Sequence, residues 1–160
     1  TTLSFVELAG ERHYLFCALG DGADTAFTAT TSGAGVAHVF AMEASGAVCD
    51  VVDDDSSEEI TPNADPWALT TDLVTTAAGD IVFGLALVAS GAFTLNGQSG
   101  TLIEDVTSEA VGQYQIVGAA GPYDVTFDWA STEGGNILGW AVKAAASGVT
   151  PRGMLLGVLP

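Results

Sequence analysis

Asp53-Asp54-Asp55-Ser56-Ser57-Glu58-Glu59 is the densest run of potential cation ligands in the chain. Calcium takes about six to eight oxygen ligands, and Asp53, Asp54 and Asp55 could supply some of them. The run lacks the spaced Asp-x-Asp-x-Asp-Gly order that wraps a loop around an ion, and adjacent side chains of an extended segment diverge. It reads first as an exposed, solvated acidic loop over 53–66, with the three aspartates as weak metal candidates. Asp21 and Asp24, in GDGAD, are weaker still.

Nucleophilic catalysis would need a nucleophile, a base and an orienting acid within reach of one another. The two histidines, His13 and His38, each fall in an apolar, strand-like segment. No Gly-x-Ser-x-Gly elbow accompanies them, and no cysteine sits beside a motif histidine. Paired carboxylates could hydrolyse a glycosidic bond, but Asp124 and Asp128 stand about 13 Å apart at strand rise. With twenty acids, pairs with neighbouring strands arise by chance. Phosphate loops and dinucleotide fingerprints are absent. The expectation is a chain that is no enzyme and takes no cofactor.

Three tryptophans could stack on sugar rings: Trp67, Trp129 and Trp140. Trp129 continues an apolar strand face and reads as core. Trp67, flanked by Asp65 and Pro66, is the best candidate for an exposed aromatic and a glycan contact. Cys17 and Cys49 lie in apolar segments; they read as buried thiols or as one disulfide between neighbouring strands.

The charge is one-signed. Arg12, Lys143 and Arg152 are the only bases against twenty Asp and Glu, for a formal net charge of -17. Acid content is ordinary for a domain in which about a quarter of residues are charged, so the anomaly is missing base. Nucleic acid requires Lys and Arg on phosphates, and an anionic membrane would repel this surface. Neither is an expected partner. With 48% hydrophobic residues, the chain is no disordered polyanion. No apolar run is long enough for a membrane helix, and no signal peptide is visible. Thr1 fits either loss of an initiator Met or a processed chain.

The elements that position these groups are strands. Residues 123–129, YDVTFDW, alternate with period two, the mark of a half-buried strand. Residues 80–88, DIVFGLALV, are apolar on both faces and read as a central strand. Further strands are expected near 3–9, 12–19, 25–31, 36–42, 47–52, 69–76, 101–106, 111–118 and 136–146. Gly-rich turns punctuate them, with Asn96-Gly97 as a type I′ hairpin signal. A short helical turn near 62–68 is the one helix candidate. The pattern predicts a single all-β domain over 1–160, an antiparallel, jelly-roll-like sandwich.

Both ends are apolar. Leu3 and Phe5 lie in a strand with two apolar faces, and Met154, Leu155, Leu156, Val158 and Leu159 follow the last expected strand, in the segment 152–160. Such segments need cover from their own fold or from a neighbour, and open strand edges invite other chains. These residues are the expected interface of a homo-oligomer, with a trimer as first guess, or of a larger assembly.

The half from Leu69 to Gly148 adds a resemblance. LTTDLVTTAAGDIVFGLALV, TLIEDV, GQYQIVGAAGPYDVTFDWA and NILGWAVKAAASG resemble non-catalytic β-sandwich modules of tailed-phage virion proteins and bacterial surface proteins. The shared pattern is one of strands, not of site residues, and it transfers no catalytic residue. It implies a jelly-roll-like fold and a structural role at a virion surface, as a capsid decoration or head- or tail-associated protein on a capsid shell. The alternative it implies is a carbohydrate-binding or adhesin domain of a secreted or cell-surface protein, with host glycans as ligands.

Overall fold

A computed structural model describes residues 2–8, 11–17, 38–42, 47–60, 67–88, 94–105, 110–130, 134–144 and 154–159. Side chains are described for 53–58, 67–68, 73–87, 95, 97–103, 110–128 and 134–144. The expected strand at 25–31 lies outside these residues. So do the side chains of His13, His38, Cys17, Cys49 and Trp129.

The described chain is all-β, with no helix among the described residues. In order the strands are β1 (Thr2–Leu8), β2 (Glu11–Cys17), β3 (His38–Met42), β4 (Ala47–Ile60), β5 (Trp67–Thr75) and β6 (Ile81–Val88). They continue as β7 (Thr94–Gln98), β8 (Thr101–Asp105), β9 (Ala110–Ile116), β10 (Gly121–Ala130), β11 (Gly135–Ala144) and β12 (Met154–Leu159). Every pairing is antiparallel. The five-stranded sheet runs β4-β11-β6-β9-β8, the three-stranded sheet β5-β10-β7, and the four-stranded sheet β1-β2-β12-β3.

The sandwich core lies between the five- and three-stranded sheets. Val82 and Ala86 of β6, Ile137 and Ala141 of β11 and Val111 of β9 meet Trp67 and Leu73 of β5 and Val125 and Phe127 of β10. Burying each such Val, Leu, Ile or Phe contributes about 2 kcal/mol. The sheets approach closely because Gly84 leaves room: a Cβ there would collide with Val125 Cγ1.

The opposite face of the five-stranded sheet is buried as well. Phe83, Leu85, Leu138, Trp140 and Val142 are at most 1% exposed. A sheet covered on both faces selects strands without alternation, which is why 80–88 reads as apolar throughout. As expected for such a run, β6 is the central strand of its sheet. The four-stranded sheet runs along this one, with β1 near β4 and β3 near β8.

Three expectations need correction. The acidic run is no loop: residues 53–59 form the second half of β4, paired with β11 from Glu59↔Asn136 to Asp54↔Ala141. Asn96-Gly97 is no hairpin turn: it lies within β7, where the register against β10 jumps from Gly97↔Asp128 to Leu95↔Trp129. The skipped Asn96 is the extra residue of a bulge, another use of a flexible Asn-Gly pair. The residues after the last expected strand form a further strand, β12, inside a sheet.

Candidate functional site: an acidic seam between two sheets

The register of β4 also jumps. Val52 faces Val142 and Asp54 faces Ala141, which leaves Asp53 as an extra residue. A bulge breaks the alternation of side chains. Consecutive aspartates can then reach toward the same neighbour, and here that neighbour is β5.

β5 is an edge strand, paired only with β10 in its own sheet. Alternate N–H groups on its other side need acceptors. Asp54 Oδ2 accepts the Val74 N–H at 2.9 Å. Asp53 Oδ2 accepts the Thr76 N–H at 3.2 Å and the Thr76 hydroxyl at 2.9 Å. Carboxylates on the edge of one sheet thus complete the edge of the other.

Asp80 closes the seam from beneath. It is fully buried and immediately precedes β6, after the turn 76–79, in which Gly79 holds φ at +89°. Its Oδ2 accepts the N–H groups of Thr76 and Ala77 at 3.0 and 2.8 Å, and its Oδ1 accepts that of Ala144 at 2.7 Å. Asp53 and Asp80 therefore share the Thr76 N–H. Lys143, the only lysine, supplies the nearby cation: its Nζ lies 3.5 Å from Asp53 Oδ1. The lysine side chain is 42% exposed and the Asp53 side chain 4%.

Burial pushes the Asp53 carboxyl up. Hydrogen bonds from the Thr76 hydroxyl and N–H, followed by the Lys143 charge, outweigh it and hold Asp53 below its ordinary value. Asp55 moves the other way, raised by desolvation on the face where it stands opposite Trp140 and then by the charge of Asp54.

Each oxygen of Asp53, Asp54 and Asp80 already has a partner, because Asp54 Oδ1 also accepts the Asp55 N–H at 3.0 Å. What this arrangement does is hold backbone. Among the described residues, no group of three His, Cys, Asp or Glu is placed to hold a metal ion. The run of aspartates marked this region in the sequence; Asp80 and Thr76 carried no signal there beyond a Gly-Asp turn.

Trp67 does not serve as a sugar platform. It opens β5 and is 0% exposed. Its ring fills the space above Gly135, where a Cβ would come within 2.6 Å of the indole. The Pro-Asp flank suggested a loop, but the side chain turns into the core. Trp140 is equally buried, and its Nε1 has no hydrogen-bond partner among the described residues. Asp124 and Asp128 are exposed on β10.

The interface candidates divide between two positions. Leu3 and Phe5 lie on β1, an outer strand among those described in its sheet; Phe5 stands opposite Tyr14 of β2, while Leu3 falls at the register shift between Thr2 and Ser4. Met154, Leu155, Leu156, Val158 and Leu159 lie on β12, flanked by β2 and β3. The same ladders place the histidines: His13 and His38 both stand opposite Val158, one on each side of β12.

A second polar cluster holds the corner between β7 and β8. Gln113, 2% exposed on β9, accepts the Gly100 N–H at 2.5 Å and donates to Thr126 O at 2.9 Å. Ser99 Oγ donates to Gln113 Oε1 at 3.3 Å and accepts the Thr126 N–H at 3.1 Å. Like the seam, it ties the two sheets together.

Compared with protein families, curated proteins and solved structures, the chain matches none.

Proposed function

We propose that this chain is a non-enzymatic structural protein of a virion surface, a jelly-roll-like capsid decoration or head- or tail-associated module that works in many copies. The observation that carries the reading is the use of the acidic seam. Its aspartates, the groups best suited to chemistry, hold backbone N–H groups of strand edges and a turn. Two further features support it. A five-stranded sheet buried on both faces makes a rigid body. A one-signed surface with net charge -17 keeps copies soluble until a specific contact forms.

The test is localisation of the full chain. Particles from the native source would be separated on a density gradient and their proteins quantified by mass spectrometry. A structural module should band with the particle at a fixed, symmetry-compatible copy number and appear as added density on its surface. Recovery of the chain only in the free-protein fractions would refute the reading.

A further inference from the structure

We propose that β12 is an exchangeable strand, and that the cleft between β2 and β3 accepts β12 from a second copy of this chain. This goes beyond the virion reading and does not depend on it.

The case begins with strand order. Among the described residues, β12 is the strand that joins β2 to β3 in the sheet β1-β2-β12-β3. It pairs with β2 from Met154↔Cys17 to Leu159↔Arg12, and with β3 from Met154↔Met42 to Val158↔His38. Neither ladder contains a register shift, unlike those between β1 and β2, β4 and β11, or β8 and β9. Remove β12 and the described strands of this sheet separate into the β1-β2 hairpin and β3. Two facing edges of unpaired N–H and C=O groups then remain, spaced for one strand.

Chain order makes the insertion non-local. β2 and β3 precede all strands of the five- and three-stranded sheets, and β12 follows them. The segment 145–153, AASGVTPRG, joins Ala144 to Met154 and carries Gly148, Pro151 and Gly153.

Recognition does not distinguish self from copy. MLLGVL is uncharged, so no ion pair ties it to its own chain, and its backbone ladders to β2 and β3 are those of strand addition. The β12 of a second chain makes the same bonds in the same cleft, which is why exchange of an identical element is a low-cost route to association. Charge favours this contact over others. Every copy carries net charge -17, and β4 and β8, the outer described strands of the five-stranded sheet, include the acidic residues between Asp53 and Glu59, and Glu104 and Asp105. β12 and β3 carry none. Reciprocal exchange gives a closed dimer; exchange in one direction gives an open chain of copies.

The register supplies the test. Cα atoms of directly opposed antiparallel residues lie about 4.5–5.5 Å apart, within disulfide reach. A donor, Met154→Cys with Cys17→Ser and Cys49→Ser, is mixed at high concentration with an acceptor, Cys49→Ser, that keeps Cys17. Both are full-length chains, refolded together, oxidised and read by intact mass without reductant. A control chain, Met154→Cys with Cys49→Ser, should close its own Cys17 link.

Exchange predicts a donor–acceptor disulfide dimer. Moving the donor cysteine to Leu155→Cys should cut its yield about tenfold, because position 155 is in register with Phe16 rather than Cys17 and successive strand residues alternate faces. The proposal is overturned if the control closes but no mixed dimer forms, or if both donors give equal yields, which marks random collision. It is also overturned if the control fails to close, since β12 then does not sit against β2.

Discussion

Asp80 and Ala144 are joined by a 2.7 Å hydrogen bond from the Ala144 N–H to Asp80 Oδ1. It ties the start of β6 to the end of β11, while the other oxygen of the same buried carboxylate holds Thr76 and Ala77. Replacing it with alanine leaves three N–H donors without this acceptor. Asp80→Ala should cost about 3 kcal/mol or more, given about 1–3 kcal/mol for a buried polar group left unpaired. Asp80→Asn, which keeps one acceptor oxygen, should fall between that variant and the parent. Urea unfolding at neutral pH reads both. A loss under about 1 kcal/mol for Asp80→Ala would remove the seam from the stability of the fold.

Acid should act on the seam in two opposed steps. The folded pKa of Asp55 is raised, so its ionised form is penalised in the fold, and stability rises as pH falls through that value. The folded pKa of Asp53 lies below its ordinary value of 3.8. Its contribution is complete above the unfolded pKa and is lost as pH falls through the folded one. Unfolding free energy measured from pH 7 downward should show the gain first and the loss at the acid end. Asp55→Asn should abolish the first step and Asp53→Asn should reduce the second. The reverse assignment would contradict the geometry.

How much of this was legible in the sequence depends on whether a signal was local. The alternation in 123–129 placed Val125 and Phe127 in the core and Asp124 and Asp128 outside, as found. Tyr123 is only half-buried, because its hydroxyl reaches the surface to donate to Ala119 O at 2.9 Å. β4 was misread in its second half because aspartate disfavours strands. The acceptors needed by Val74 and Thr76 come from across the sandwich and leave no trace near residue 53. Trp67 was misread for a similar reason: the space above Gly135 that receives it is set by a residue far along the chain. The place of β12 was invisible because only topology, not composition, sets a strand between two early ones.

Two glycines should differ in their tolerance of a methyl group. At Gly135 a Cβ would strike the Leu87 carbonyl oxygen, a backbone atom of the paired strand, as well as the Trp67 ring. At Gly84 it would strike the Val125 side chain, which can turn, and the end of Gln113. Overpacking costs about 1–3 kcal/mol where side chains adjust, and more where backbone must move. Gly135→Ala should therefore be the more destabilising of the two in thermal and urea unfolding. Equal losses would mean that the two sheets separate as easily as a strand pair.

Association should respond to salt in the direction opposite to that of a complex held by charge. Two copies at net charge -17 repel, and the proposed contact offers apolar side chains and backbone bonds but no ion pair between β12 and β3. Raising ionic strength from about 0.01 to 0.15 M shortens the screening length from about 30 to about 8 Å. That weakens the repulsion and leaves strand pairing intact. Light scattering on the full chain should show mean mass increasing across this range and with concentration. Leu156→Asp, at the centre of β12 between Leu15 and Phe40, should lower the mass at every salt concentration. It adds a charge to a strand that has none, and a comparison of its circular dichroism with the parent's would separate that effect from loss of the fold. A mean mass that falls as salt is added would show that charge attraction holds the copies together, and the apolar strand contact would be the wrong interface.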